Sequence, residues 1–370
     1  MMQKTIEQRV EQFTQFYKKE NKEHLLGFFL GSEYPLFRYE ASQTLPEDRP
    51  LTPDDYPVEA YVADSNRLFE EHETCGGDFI WAANAFWGIP WLEAALGCPL
   101  KASPSSGSIH SEPPGAGALG ADSSGTVLPD MVIPGFDEQN RWIKKTGEFL
   151  DALASASKGR YPLARYPLAT TRMRGIADLL SALYGGEQFV FKLMEAPEQM
   201  HRVCEELTRF YIEYGKYQLE RIPDFHGGIG SFYYSAWAPA GTVWHQEDSV
   251  MLLSPDLYRE FILPCDRKIF EAFSGNIMHF HSIGGYIPVD EVLELEPTAV
   301  EYHIDAGGPS AEELYDTHMK ILKKAPLIIW GEMSKADLDW IFNKLPAEGV
   351  AVNTVVASSE EAHAIWERYK

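Results

Sequence analysis

Three stretches of this sequence set a histidine two residues from a carboxylate or a second histidine: His245-Gln-Glu247, His279-Phe-His281 and His303-Ile-Asp305. In an extended strand, residues i and i+2 point to one side, so each pair presents two donor groups together. Neutral imidazoles with a carboxylate suit Zn2+ or a similar divalent ion. Such an ion activates a thiol or water, or polarises a carbonyl. The pattern assigns His279, His281 and Glu247 as metal ligands, and His245, Glu247 and Asp305 as catalytic groups. Without a metal, the same imidazoles serve as general bases or hold substrate, or are hydrogen-bonded core residues. Arg172 and Arg174 add a clamp for a carboxylate or phosphate, with a salt-bridged role as the alternative. Tyr34, Arg38, Tyr233, Tyr234, His303, Glu332 and Asn353 stand at or beyond the ends of apolar runs and are candidates for substrate binding.

Those positions need elements to hold them. Apolar runs near 24–31, 161–170, 224–231, 243–249, 276–281, 299–304, 327–331 and 350–355 read as eight strands. Between most of them lie amphipathic helical stretches. The last three open on Ser310 with Glu313, Ser334 with Asp337 and Ser358 with Glu361, the spacing of a capping box. Strands alternating with short helical crossovers pair in parallel. Eight of them predict a closed (β/α)8 barrel, in which polar residues at strand C-terminal ends form the site. An open doubly wound sheet is the alternative, but no GxGxxG or phosphate-binding loop follows any strand. The whole chain, 1–370, reads as one such domain with extra N-terminal helices. Residues 102–125, dominated by Ser, Gly, Pro and Ala, read as a flexible surface excursion within it.

Composition narrows the partners. Lys and Arg total 32 against 55 Asp and Glu, a formal net charge of −23, which disfavours nucleic acid and an anionic membrane surface. A small-molecule substrate fits better. No segment approaches the roughly 18 uninterrupted apolar residues of a membrane span. The N-terminal residues are charged, with no apolar core of a signal peptide. The four cysteines show no metal-binding spacing and read as reduced thiols, so a cytoplasmic location is expected.

The run Trp244-His-Gln-Glu-Asp-Ser-Val-Met-Leu-Leu-Ser-Pro-Asp-Leu-Tyr-Arg-Glu-Phe-Ile-Leu-Pro264 resembles the uroporphyrinogen decarboxylase superfamily, which also holds zinc-dependent methyltransferases acting between corrinoid proteins and thiols. Ile277-Met-His-Phe-His281 falls where members carry a His-x-Cys-Gly strand end, and Leu327-Ile-Ile-Trp-Gly-Glu332 where they carry Gly-Asn. Met173-Arg174-Gly175 and the stretch 197–221 fit as well. The resemblance is good over 140–370 and loose before that. It implies a (β/α)8 barrel, a homodimer, and either methyl transfer with zinc and a corrinoid partner or decarboxylation. Two departures matter. The decarboxylases bind propionates through arginines of a Met-Arg-Gln-Ala-Gly-Arg segment. Here the corresponding Phe28-Phe-Leu-Gly-Ser-Glu-Tyr34 fills neither arginine position, although Arg38 is near. Their Gly-His-Gly on the last strand is Val352-Asn-Thr-Val355 here. The methyltransferases hold zinc with His-x-Cys and a later Cys. His279 matches the histidine, His281 replaces the first cysteine, and no cysteine follows Cys265. A His/His/carboxylate site with Glu247 as third ligand remains. Metal-assisted methyl transfer therefore leads, ahead of a cofactor-free decarboxylase and a non-enzymatic ligand-binding barrel.

Overall fold

The computed structural model describes residues 4–114, 132–158, 164–231 and 235–370. Its strands are β1 (Leu25–Leu30), β2 (Leu100–Ser103), β3 (Ser108–Ser111), β4 (Met173–Arg174), β5 (Gly228–Ser231), β6 (Ala236–Pro239), β7 (Thr242–Gln246), β8 (Gly275–His281), β9 (Ala299–His303), β10 (Leu327–Gly331) and β11 (Val350–Val356). Seven form one parallel sheet in the order β1-β11-β10-β9-β8-β7-β4. The helical crossovers that parallel pairing needs are supplied by helices such as Leu263–Ala272, Tyr315–Lys324 and Lys335–Lys344.

This α/β architecture is TIM-barrel-like. The eight-stranded ladder expected from the sequence is not what forms among the described residues. Off this ladder lie single bonds: Asp78 N to Leu26 O beside β1, and Ala83 N to Pro167 O with Ala169 N to Ala83 O. Of the expected strand at 161–170, residues 161–163 lie outside the described residues, and 164–170 carry isolated bridges, Ala83 with Leu168 and Lys158 with Ala164. The expected strand at 224–231 is only β5, and it leaves the parallel sheet to pair antiparallel with β6. Gly227 there has a φ of 79°, a left-handed turn that ends any longer extended run.

The sheet separates two apolar layers. Leu26, Phe28, Met278, Phe280, Val300, Tyr302, Ile329 and Val352 pack beneath the outer helices. The alternate residues, among them Leu25, Phe29, Ile277, Ala299, Ile328, Trp330 and Ala351, belong to the inner core. Towards the strand C-termini that inner face turns polar. Register places Gln246, His279 and Glu301 in one row, and His281, His303, Trp330 and Asn353 in the next. The reciprocal Ser–acid bonds are present at Ser334 with Asp337 and at Ser310 with Glu313, although the latter opens a turn and the helix itself starts at Tyr315.

Residues 100–111, which overlap the expected excursion, form the β2–β3 hairpin, whose Ser108 and Ile109 line an opening of about 350 Å3 beside the strand ends. Residues 115–125 of that expectation lie outside the described residues.

Candidate functional site

Three imidazoles meet at the C-terminal ends of β8 and β9. His279 and His281 point inward from β8 with their ring centroids 4.6 Å apart, and His303 of β9 lies 4.9 Å from His281 and 6.3 Å from His279. One ligand nitrogen from each lies within 4.8 Å of the others. The rings are fixed from behind. His279 Nδ1 bonds Glu301, and the Trp244 indole lies beside the Glu301 carboxyl. His281 Nδ1 bonds Asp305 Oδ1 at 2.6 Å, while Asp305 Oδ2 accepts Ser282 N at 2.7 Å and Ile283 N at 3.2 Å. His303 stacks on Trp330 at 5.1 Å. With both Nδ1 atoms committed to carboxylates, the Nε2 atoms of His279 and His281 face Asp248, at 4.0 and 3.7 Å from its oxygens. Carboxylate–histidine pairs of this kind set tautomer and ring orientation at metal sites.

Burial, and then the neighbouring His281, push His279 down to about 3; burial likewise takes His303 down to about 3. Both rings are therefore neutral and keep a lone pair for a ligand. Burial also acts to lower His281, but the Asp305 bond and the charge of Asp248 outweigh it and raise the ring to about 9. Asp305 is held well below the usual carboxylate range: burial opposes this, and the His281 bond and charge prevail. Burial pushes Glu301 well up. The donor set of three imidazoles beside one carboxylate suits Zn2+ or another divalent transition ion.

Two cavities share this wall. The first, about 350 Å3, is bounded by Glu33, Tyr34, Trp87, Trp244 and Arg172 as well as Asp248, Asp305 and the three histidines. The second, about 260 Å3, is largely apolar, with Met251, Phe280, Ile283 and Ile287. Asp248, His279 and His281 line both. Asp248 also borders a third opening of about 420 Å3 that includes Arg172 and Arg174.

The residues named from sequence divide sharply. His279, His281, His303 and Asp305 come together. Tyr34 and Arg172 reach the first cavity. Glu247, expected as third metal ligand, is not with them. It points to the opposite face of β7, where its two oxygens accept Ile176 N at 2.6 Å and Ala177 N at 2.8 Å and cap the helix Ile176–Tyr184. His245 shares that outer face and is fully buried, with Nδ1 2.8 Å from Tyr211 Oη and Nε2 3.2 Å from Asp266 Oδ1. The alternation that sends His245 and Glu247 outward brings Trp244, Gln246 and Asp248 inward. Arg174 is tied to Glu93 at 2.7 Å and Asp178 at 3.5 Å. The Arg38 guanidinium turns to Leu30 O at 2.6 Å, over the Phe29 ring. Glu332 is exposed and Asn353 is buried in the inner row, neither bordering the first cavity. Tyr233 and Tyr234 lie outside the described residues.

Sequence reasoning missed Asp248, Glu301, Trp87 and Glu33. Glu301 was legible, because it stands two residues before His303 and shares its face. Asp248 required the other phase of β7. Its position is set by the same helix that Glu247 caps: Asp178 accepts Asp248 N at 3.3 Å and Ser249 N at 2.8 Å.

No family model and no curated protein matches the chain. Among solved structures, the chain is similar to a methyltransferase from Methanosarcina mazei, with a TM-score of 0.57 and 15% identity, over 96% of this chain and 98% of that one. At that identity the likeness shows a shared fold across nearly the whole of both chains.

Proposed function

We propose that this protein is a metal-dependent methyltransferase that moves a methyl group between a thiol and a second carrier, on a closed (β/α)8 barrel of the uroporphyrinogen decarboxylase type. The observation that carries this reading is the meeting of His279, His281 and His303 in one cluster, with His279 and His281 on a wall common to two cavities. Group transfer needs two reactants to meet at one point, and that wall is where they would meet. The fold shared with a methyltransferase supports the same reading.

His279, His281 and His303 would hold Zn2+. When bound, the ion supplies a Lewis acid that lowers the pKa of a substrate thiol. The protein's own groups do the rest. Glu301 and Asp305 fix the imidazoles through Nδ1. Asp248, whose oxygens face both Nε2 atoms, takes up the proton that the thiol gives up. The apolar second cavity excludes water from the carrier's side. A corrinoid protein is the carrier that the sequence resemblance implies. Decarboxylation of a polycarboxylate is disfavoured, because among the described residues the first cavity sets Glu33, Asp248 and Asp305 against one guanidinium, that of Arg172.

Zinc measured by elemental analysis on protein purified without a His-tag tests the reading. About one ion per chain is expected, with strong loss in His279→Ala, His281→Ala and His303→Ala. Substoichiometric zinc that added metal leaves unchanged would refute it. With zinc bound, S-methylation of a thiol by methylcobalamin is the expected activity.

A further inference from the structure

The first cavity carries information about which thiol it takes. Its wall holds three carboxylates, Glu33, Asp248 and Asp305, and one guanidinium, Arg172. Asp248 and Asp305 face the imidazoles at 3.7 and 2.6 Å, so a divalent ion there is balanced largely by them. Glu33 is different. It follows β1, beside Tyr34; burial first, and then the negative neighbours Glu332 and Asp305, push its carboxyl up, while His281 acts the other way. The other surfaces at hand are aromatic: Tyr34, half exposed at the rim, and the buried Trp87 and Trp244. A carboxylate backed by further carboxylates repels an anion. Aromatic faces bind an organic cation through their quadrupole. The chain's net charge of −23 adds a long-range bias of the same sign.

We propose that the first cavity selects a thiol bearing an organic cation, an alkylated or free ammonium group, whose charged end lies against Glu33, Trp87 and Tyr34 while its sulfur reaches His279, His281 and His303. This rests on the thiol reading given under Proposed function and adds the sign of the substrate's far end. At about 350 Å3 the cavity has the size of a small-ligand site. A two-carbon spacer between sulfur and nitrogen is the natural first probe.

The test compares three thiols of similar length on zinc-loaded protein by calorimetry: thiocholine, 2-mercaptoethanol and 2-mercaptoethanesulfonate. Thiocholine is expected to bind tighter than the sulfonate by about tenfold or more, with the neutral thiol between them. Glu33→Gln is expected to compress that ratio at least about threefold, and Trp87→Leu to weaken thiocholine alone. Equal binding of the three, or preference for the sulfonate, overturns the proposal while leaving zinc binding and methyl transfer standing. A second arm is independent of the metal. On zinc-free protein, choline should bind more tightly than its neutral isostere 3,3-dimethylbutan-1-ol, and the difference should shrink with added salt. Equal binding of that pair overturns the proposal. A preference for choline in protein that never takes up zinc supports the cation pocket and separates it from failure of the metal reading. Should Glu33→Gln fail to fold, Trp87→Leu and the salt dependence in the unaltered protein still decide.

Discussion

Gly175→Ala should break the coupling between the barrel's edge and its site. Gly175 precedes the helix Ile176–Tyr184 with a φ of −80°, so alanine is not strained by backbone conformation. Space is the obstacle: a Cβ would lie 2.1 Å from Glu247 Oε1, 2.3 Å from its Cδ and 2.7 Å from Gln246 O. The carboxylate must leave, and it is the acceptor for Ile176 N and Ala177 N at 2.6 and 2.8 Å. A buried hydrogen bond lost with its partner left unsatisfied costs about 1–3 kcal/mol. Two such bonds give a destabilisation of about 4 kcal/mol, on the order of a 5 °C fall in Tm for a chain of this size. Urea denaturation followed by circular dichroism measures it. The decisive control is a double-mutant cycle. Glu247→Ala removes the obstacle, so adding Gly175→Ala should cost little beyond the approach to Gln246 O, with a coupling of at least about 2 kcal/mol. Because Asp178 on the same helix holds Asp248 N and Ser249 N, zinc affinity should fall in parallel in Gly175→Ala. Additive costs in the cycle, or a loss below about 1 kcal/mol in Gly175→Ala, would refute the reasoning.

Glu301→Gln should separate metal binding from stability. Glutamine still accepts from His279 but loses the charge that makes the imidazole a better ligand, so zinc affinity should drop about 10- to 100-fold. Folding stability of the metal-free protein should hold or rise, since burial pushes the Glu301 carboxyl well up and glutamine carries no charge to bury; a large loss of stability would argue that Glu301 is a structural anchor. Acid should destabilise the fold through His72 and His318, both brought down from 6.5 to about 4, chiefly by burial. Their folded pKa lies below the unfolded value, so the unfolded chain binds more protons between about 4 and 6.5. Their stabilisation is complete above pH 6.5 and is lost as pH falls towards 4, up to about 3 kcal/mol for each. His318→Phe should remove one such share, because both His318 nitrogens lack hydrogen-bond partners among the described residues and the ring packs edge-on against Tyr302. An unchanged pH slope in His318→Phe would exclude His318 as a source.

Sequence alone determined the repeating βα pattern of the last third, because helix starts such as that at Lys335 are written locally. Ser334 and Asp337 bond each other three residues apart, and no distant contact is needed to specify that. It also determined that His279 and His281 share a direction, since alternation is a property of one strand. What it could not determine was which of the two faces of β7 looks inward. A short polar run such as Trp244-His-Gln-Glu-Asp248 satisfies either phase, and the histidine and glutamate make the wrong one attractive. The choice was made by groups far along the chain: Tyr211 and Asp266 supply His245 with buried partners, and the helix N-terminus at Ile176 and Ala177 supplies Glu247 with two donors. A buried polar group goes where its hydrogen bonds are met. Only the tertiary structure brings those partners to one side of the strand, and by doing so it turns Asp248 towards the three imidazoles on the other.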